Sequence, residues 1–277
     1  MIRQIALPSG ETVAALGQGT WKMAERSSAR AEEIAALREG VALGMTLIDT
    51  AEMYADGGSE SLLGEALQGL REQVFIVSKA YPENASRARL PLSCEASLKR
   101  LRTDRIDLYL LHWRGGVPLA ETVQAMQALQ AAGKIRHWGV SNLDTDDMQE
   151  LEAAGGAGCA TNQVLYNLTR RGVEHDLFGW LAARRIPPMA YSPVEQGRLA
   201  SNAALTAIAR DRGVTSLQIA LAWVLRRPAV IALPKAGRVE HVRQNRAALD
   251  IELTPEELAS LDRAFPAPRG RSALEMI

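Results

Sequence analysis

The chain has 277 residues, with 32 basic and 32 acidic side chains balancing to zero formal charge and no long block of one sign. That balance disfavours a nucleic-acid partner or an anionic membrane surface. No apolar run reaches the about 18 residues a membrane span needs, and the N-terminus lacks a basic start followed by an apolar signal core, so a soluble, cytoplasmic protein is expected. Cys94 and Cys159 are too few for a disulfide framework or a cysteine zinc site, and Cys94 falls on an apolar helical stripe as a packed thiol.

In chain order, Ile2 to Leu7 and Thr12 to Leu16 flank the turn residues Pro8-Ser9-Gly10-Glu11 and predict a hairpin. From there short β-like runs alternate with segments of helical period. One helix carries Ile34, Leu37 and Val41 and stops at Gly44; the next, after Gly58, carries Leu62, Leu63, Ala66, Leu67 and Leu70. Cys94, Leu98 and Leu101 mark a third, and Val123, Met126 and Leu129 a fourth. Strand ends fall near residues 19, 49, 79, 112, 140, 163, 191 and 233, a spacing of roughly 30 that suits one βα unit apiece. The long last interval holds two helical segments, the second opened by Thr215 with Gln218 three residues on, a capping-box pattern. Arg238 to Leu249 reads as helix, and Thr254-Pro255-Glu256-Glu257 starts another.

Eight such units predict an α/β fold, a (β/α)8 TIM barrel with an N-terminal β-hairpin and extra C-terminal helices, spanning 1–277 as a single domain. The rival, a doubly wound open sheet, normally announces a dinucleotide site with G-x-G-x-x-G after its first strand; Gly17 and Gly19 supply only G-x-G.

In a barrel of this kind the carboxyl ends of the strands converge on one face, which brings Asp49, Lys79 and His112 together with Tyr54 from the loop after Asp49. Each has a bland reading alone: a capping carboxylate, a solvated strand end, a core histidine, a rim aromatic. As a set they suit protonation of an oxygen on which negative charge develops. An ammonium at Lys79 lowers the pKa of a nearby phenol, Asp49 keeps Lys79 charged, and His112 can orient a carbonyl. Carbonyl reduction needs a hydride that no side chain carries, so a nicotinamide cofactor is implied. The other histidines, His137, His175 and His241, lack H-x-H or H-E-x-x-H spacing, and no metal is expected. A Schiff-base lyase or aldolase using Lys79 stays open, as does a cofactor-binding regulatory subunit without catalysis.

G-Q-G-T-W at 17–21, L-I-D-T-A-E-M-Y at 47–54, V-S-K ending at Lys79, L-L-H-W at 110–113, G-V-S-N at 139–142, N-Q at 162–163, A-Y-S-P at 190–193 and L-P-K at 233–235 keep an order and spacing that resembles the aldo-keto reductases over almost the whole chain. The chain is most similar to their short bacterial members that reduce methylglyoxal. The resemblance implies Tyr54 as general acid, Lys79 and Asp49 as its tuning pair, and His112 as the group that orients the carbonyl. It implies that Ser141, Asn142 and Gln163 hold the nicotinamide carboxamide, that Tyr191 stacks on its ring, that Thr20 and Ser192 touch the cofactor, and that Asn245 lies near the adenine. Trp21 and Trp113 would line the substrate pocket. Ala236 and His241 stand where many relatives have serine and a phosphate-gripping arginine; Lys235 remains, with Arg238 or Arg243 as compensating cations, so NADPH is expected, with NADH possible. The short Arg114-Gly115-Gly116 loop, read as flexible, and a tail of twelve residues after Phe265 predict an open pocket for small carbonyls, in a protein expected to be a monomer.

Overall fold

A computed structural model describes residues 2–277. Strands β1 (Gln4–Ala6) and β2 (Thr12–Ala14) form the antiparallel hairpin, with Ile5 opposite Val13. Gly10 takes the left-handed turn position at φ 89°, which glycine adopts without the clash of a β-carbon. Eight parallel strands follow: β3 (Gln18–Gly19), β4 (Leu47–Asp49), β5 (Phe75–Ala80), β6 (Ile106–Leu111), β7 (Ile135–Ser141), β8 (Asn162–Leu165), β9 (Pro188–Tyr191) and β10 (Ile231–Leu233). They pair in sequence order, and parallel bridges from Leu16 to Ala232 and from Gly19 to Lys235 close the ring. This is the expected (β/α)8 barrel, its strand ends within a residue or two of the predicted positions.

Helices α1 (Arg30–Ala42), α2 (Gly58–Ala66), α3 (Leu90–Leu101), α4 (Leu119–Ala131), α5 (Thr145–Ala153) and α6 (Leu177–Ala183) follow the first six barrel strands one by one. After β9 come two, α7 (Ala203–Arg212) and α8 (Ser216–Leu225), and after β10 come α9 (Val239–Ala247) and α10 (Pro255–Ala264). The helix starts read from sequence have the expected chemistry. Thr215 and Gln218 form a reciprocal capping box on α8, and Thr254 and Glu257 form one on α10. Asp144 does the same for α5 with Asp147. Each satisfies two backbone donors that the first helical turn would otherwise leave unpaired. Among the described residues no helix is long and apolar enough to cross a membrane.

The core has two layers, and their parity decides where the functional side chains point. Residues of one parity, such as Leu47, Val77, Leu108, Leu110 and Leu233, join Ile5, Leu7 and Val13 of the hairpin in a cluster on the barrel axis. Their neighbours, such as Ile48, Ile76, Tyr109, Leu111 and Val140, join the helices in a second cluster. Because strand side chains alternate with period two, the next inward positions beyond Leu47, Val77, Leu110 and Leu233 are Asp49, Lys79, His112 and Lys235. The hairpin fills the amino end of the axis, so the polar groups collect at the carboxyl end. Cys94 is fully buried with its thiol pushed up to about 12, largely by burial, as a packed rather than reactive cysteine requires.

Candidate active site

A cavity of about 1150 Å³ opens at the carboxyl ends of the strands. Asp49, Tyr54 and His112 line it, and Lys79 lies directly beneath, fully buried. The Lys79 Nζ lies 2.7 and 2.8 Å from the two carboxylate oxygens of Asp49 and donates to the Thr50 carbonyl at 2.8 Å and to the Tyr54 hydroxyl at 3.1 Å. Asp49 Oδ1 also accepts from Gln163 Nε2 at 2.7 Å. A buried ion pair is tolerated only when such additional bonds complete both partners, and here both are completed.

The electrostatics correct one expectation. Burial lowers the Lys79 pKa, and Asp49 opposes that shift without cancelling it. Tyr54, expected to be drawn down by the ammonium, is instead raised well above the usual phenol value, first by burial and then by the Asp49 carboxylate. The carboxylate that holds the lysine also faces the phenol, so Tyr54 keeps its proton until a stronger base, such as a nascent alkoxide, presents itself.

His112 stands edge-on to Tyr54 at 5.9 Å between ring centroids, with Nδ1 buried and unpartnered. Burial, aided by the Lys79 charge, pulls its pKa down from 6.5 to about 2, so the ring is a neutral hydrogen-bonding group across the working pH range. The unfolded chain binds a proton below pH 6.5 that the folded chain refuses. This group's contribution to stability is therefore complete above pH 6.5 and is lost as pH falls toward 2, at about 1.4 kcal/mol per pH unit. Denaturant unfolding at pH 7 and pH 5 should show this loss, and His112→Gln should shrink the difference by about 2 kcal/mol; an unchanged difference assigns the acid limb to another group.

Around the quartet the structure gathers most of the other residues singled out in the sequence. Ser141, Asn142, Gln163, Tyr191, Ser192, Lys235 and Asn245 line the cavity, as do Trp21 and Trp113. Asn142, in the left-handed region at φ 57°, donates to the His112 carbonyl and to Ser141 Oγ, and its own carbonyl accepts from the Tyr191 hydroxyl at 3.0 Å. Ser141 Oγ in turn donates to the Gln163 carbonyl at 2.9 Å. Thr20 lies behind the wall, fully buried with Oγ1 unpartnered. Arg238 is not brought in: it is exposed and reaches Glu32 of α1 at 3.5 Å. Arg243 likewise pairs with Glu39 at 2.7 Å, so Lys235 is left with His241, Gln244 and Asn245 at that end.

Sequence reading missed three parts of the wall. The loop after β9 contributes Val194, Gln196 and Gly197 and carries left-handed φ values at Ser192, Glu195 and Gln196. Buried Glu195 holds it by accepting from Asn167, Arg170 and Arg198. The start of α8 contributes Thr215 to Gln218, which as a sequence signal reads only as a cap. The tail contributes Met276 and Ile277, tied across the mouth by Arg271 to Asp146 at 2.7 Å and by Glu275 to Arg170 at 2.6 Å. The tail, though short, is thus part of the wall, and a fully open pocket is not what forms. The Arg114-Gly115-Gly116 loop is also held: Arg114 pairs with Asp147 and Glu150 of α5, and Gly115 abuts Pro82 closely enough that a β-carbon would clash at 2.5 Å. Among the described residues no cluster of His, Cys, Asp and Glu could hold a metal ion.

The remaining capacity of the wall suits a nicotinamide dinucleotide. Tyr191 offers a flat ring, Gln163 keeps a carbonyl oxygen once its amide donates to Asp49, and Lys235 offers a cation at the far end. A (β/α)8 barrel whose strand ends join a phenol, a buried lysine–aspartate pair and a neutral histidine in one cavity is the architecture of a carbonyl-reducing barrel enzyme. The family model described as "Aldo/keto reductase family" matches residues 15–265, and the chain belongs to that family. It is 54% identical to the methylglyoxal reductase YeaE of Escherichia coli over 99% of each chain, and 30% identical to a glyoxal reductase of Bacillus subtilis over 93% of this chain and 91% of that one. Among solved structures, an aldo/keto reductase from Klebsiella pneumoniae in complex with NADP and acetate superposes with a TM-score of 0.97 at 52% identity, covering both chains fully.

Proposed function

We propose that the protein reduces small aldehydes and ketones, methylglyoxal among them, to alcohols with NADPH, and that Tyr54 supplies the proton. The observation that carries this reading is the 3.1 Å contact between the Tyr54 hydroxyl and the buried Lys79 ammonium in the wall of a cavity large enough for a dinucleotide and a small carbonyl. The reductases of small dicarbonyls among the relatives, and the NADP-bound neighbour, support the substrate class and the cofactor.

In this reading Gln163 with Ser141 and Asn142 orients the carboxamide, Tyr191 supports the ring, and Lys235 meets the 2′-phosphate. When bound, the reduced nicotinamide supplies the hydride. Neutral His112 donates a hydrogen bond to the substrate oxygen and sets its angle. As charge develops on that oxygen, Tyr54 releases its proton to it, and Lys79 lowers the energy of the phenolate left behind. Asp49 keeps that lysine protonated in a site where burial alone would discharge it. Trp21 and Trp113 form the apolar sides of the pocket. The same proposal has the protein acting as a single-domain, cytoplasmic monomer without a nucleic-acid partner, in keeping with its balanced charge.

Initial rates of NADPH and NADH oxidation against a panel from methylglyoxal to aromatic aldehydes and sugars test it; no carbonyl-dependent oxidation of either cofactor would refute it. A Schiff base at Lys79 is disfavoured by geometry, because its Nζ already donates to Asp49, Thr50 and Tyr54, and borohydride with a carbonyl substrate should trap no adduct. Lys235 also predicts how the cofactor is chosen. Lys235→Ala should weaken NADPH binding by about tenfold while NADH shifts less than about twofold, read by tryptophan fluorescence quenching. Equal losses for both cofactors would place the phosphate elsewhere.

A further inference from the structure

Tyr54 sits on a loop that the backbone alone does not favour. Ala55 and Asp56 both have φ of 50° and Gly57 has 81°, so three consecutive residues after the phenol are left-handed. For the two that carry a β-carbon this conformation persists only where surrounding contacts enforce it. Two sets of contacts do so. On the far side Ser59 donates from its amide to the Tyr54 carbonyl and from its hydroxyl to the carbonyls of Thr20 and Met23. On the near side, between Asp49 and Tyr54, stands Glu52.

The Glu52 carboxylate has no part in the chemistry described above, yet it is fully occupied. Its Oε1 accepts from the Tyr81 amide at 2.6 Å and from Asn84 Nδ2 at 2.9 Å, and its Oε2 accepts from Ser93 Oγ at 2.6 Å. Ser93 Oγ lies 3.0 Å from the hydroxyl of Tyr109, an outward residue of β6. The Glu52 amide also donates to the Lys79 carbonyl at 3.3 Å. One side chain thus ties the Tyr54 loop to the segment two residues beyond Lys79, to α3 and to β6.

From this geometry we infer that Glu52 is a positioning residue that sets the Tyr54-to-Lys79 spacing by bracing the loop after β4 against the end of β5. Its role is one of shape. The carboxylate nearest the phenol and ammonium is Asp49, and the partners of Glu52 are an amide of the main chain, a side-chain amide and a hydroxyl. A glutamine can satisfy all three: its carbonyl oxygen replaces Oε1 toward Tyr81 and Asn84, and its amide can donate to Ser93 Oγ, a group able to accept. Alanine satisfies none.

The inference rests on the proposed reductase chemistry, and the test separates the two. Wild-type enzyme, Glu52→Ala and Glu52→Gln are compared for kcat with NADPH and methylglyoxal, for NADPH affinity by fluorescence quenching, and for amide hydrogen exchange across residues 50–57. Glu52→Ala should lower kcat by about 10- to 100-fold, the scale of a displaced reacting group, and speed exchange in 50–57 while NADPH affinity stays within about twofold. Glu52→Gln should keep kcat within about threefold of wild type and keep the exchange slow. A normal kcat in Glu52→Ala, or equal damage in both variants, overturns the inference. A wild-type enzyme inert toward methylglyoxal refutes the proposed activity instead, and the exchange comparison still tests the brace. Should Glu52→Ala not fold, the double substitution Asn84→Ala with Ser93→Ala removes the two side-chain partners, leaves only the Tyr81 amide on the carboxylate, and should lower kcat in the same direction; wild-type kcat in that variant overturns the inference.

Discussion

Tyr54→Phe should lower kcat for methylglyoxal reduction by about 10² to 10⁴, the range spanned by a positioned general acid, and leave NADPH affinity within about twofold of wild type. The substitution removes one oxygen and nothing else. The Tyr54 hydroxyl makes a single side-chain hydrogen bond, to Lys79, and Lys79 keeps Asp49 and the Thr50 carbonyl as partners. Stability should therefore change little, so lost activity cannot be attributed to unfolding. Wild-type turnover in Tyr54→Phe would move the proton donor elsewhere, with His112 the next group in the cavity.

The Asp49–Lys79 pair gives the second large effect, and it separates stability from catalysis. Asp49→Asn strips the paired carboxylate from a lysine that is 0% exposed, which must then either hold its charge without that partner or give up its proton, and Lys79→Met leaves a carboxylate with only Gln163 beside it. Each single change should destabilise the fold by about 3–5 kcal/mol, because one member of a buried pair is left without its partner. The double substitution Asp49→Asn with Lys79→Met removes both charges and should unfold at higher denaturant than either single variant. Its kcat should stay depressed by at least about 10²-fold, since the ammonium proposed to stabilise the phenolate is gone. Strictly additive losses of stability in the double variant would show that the pair is not coupled in the way its 2.7 Å contact implies.

How much of this was legible in the sequence depends on what kind of information each part needs. The barrel was readable because its units repeat: apolar runs of strand length followed by helical stripes ending at glycine or at a capping box. The alternation that seats Asp49, Lys79 and His112 was readable for the same reason, since each follows an inward apolar residue two positions earlier. The protonation of Tyr54 was not. It depends first on how deeply the phenol is buried and then on how close the Asp49 carboxylate lies to it, neither of which strand spacing encodes. Arg238 looked like a phosphate ligand from its place in the chain, and only the position of α1 shows that Glu32 faces it. The tail carried no signal, because its role comes from charges on α5 and on the loops before α6 that happen to face Arg271 and Glu275. Glu52 was hidden for a related reason: its partners Tyr81, Asn84 and Ser93 lie 29 to 41 residues away.

The seam of the barrel has a consequence for how the protein is made. β3 is two residues long, and it meets β10 only through the bridges at Leu16 and Gly19, more than two hundred residues apart in the chain from Ala232 and Lys235. Contacts of such separation are the slowest to form, because the intervening chain must be ordered before they are rewarded. Gly19 and Lys235 are also both part of the cavity wall. A nascent chain that has not yet delivered residues 231–235 already contains Asp49, Tyr54, Lys79 and His112, the proposed catalytic quartet, but it presents two unpaired sheet edges, at β3 and β9, where the closed cavity should be. Open edges recruit other strands. Interrupted synthesis or proteolytic loss of the last strand should therefore yield an aggregating species rather than a weakened enzyme.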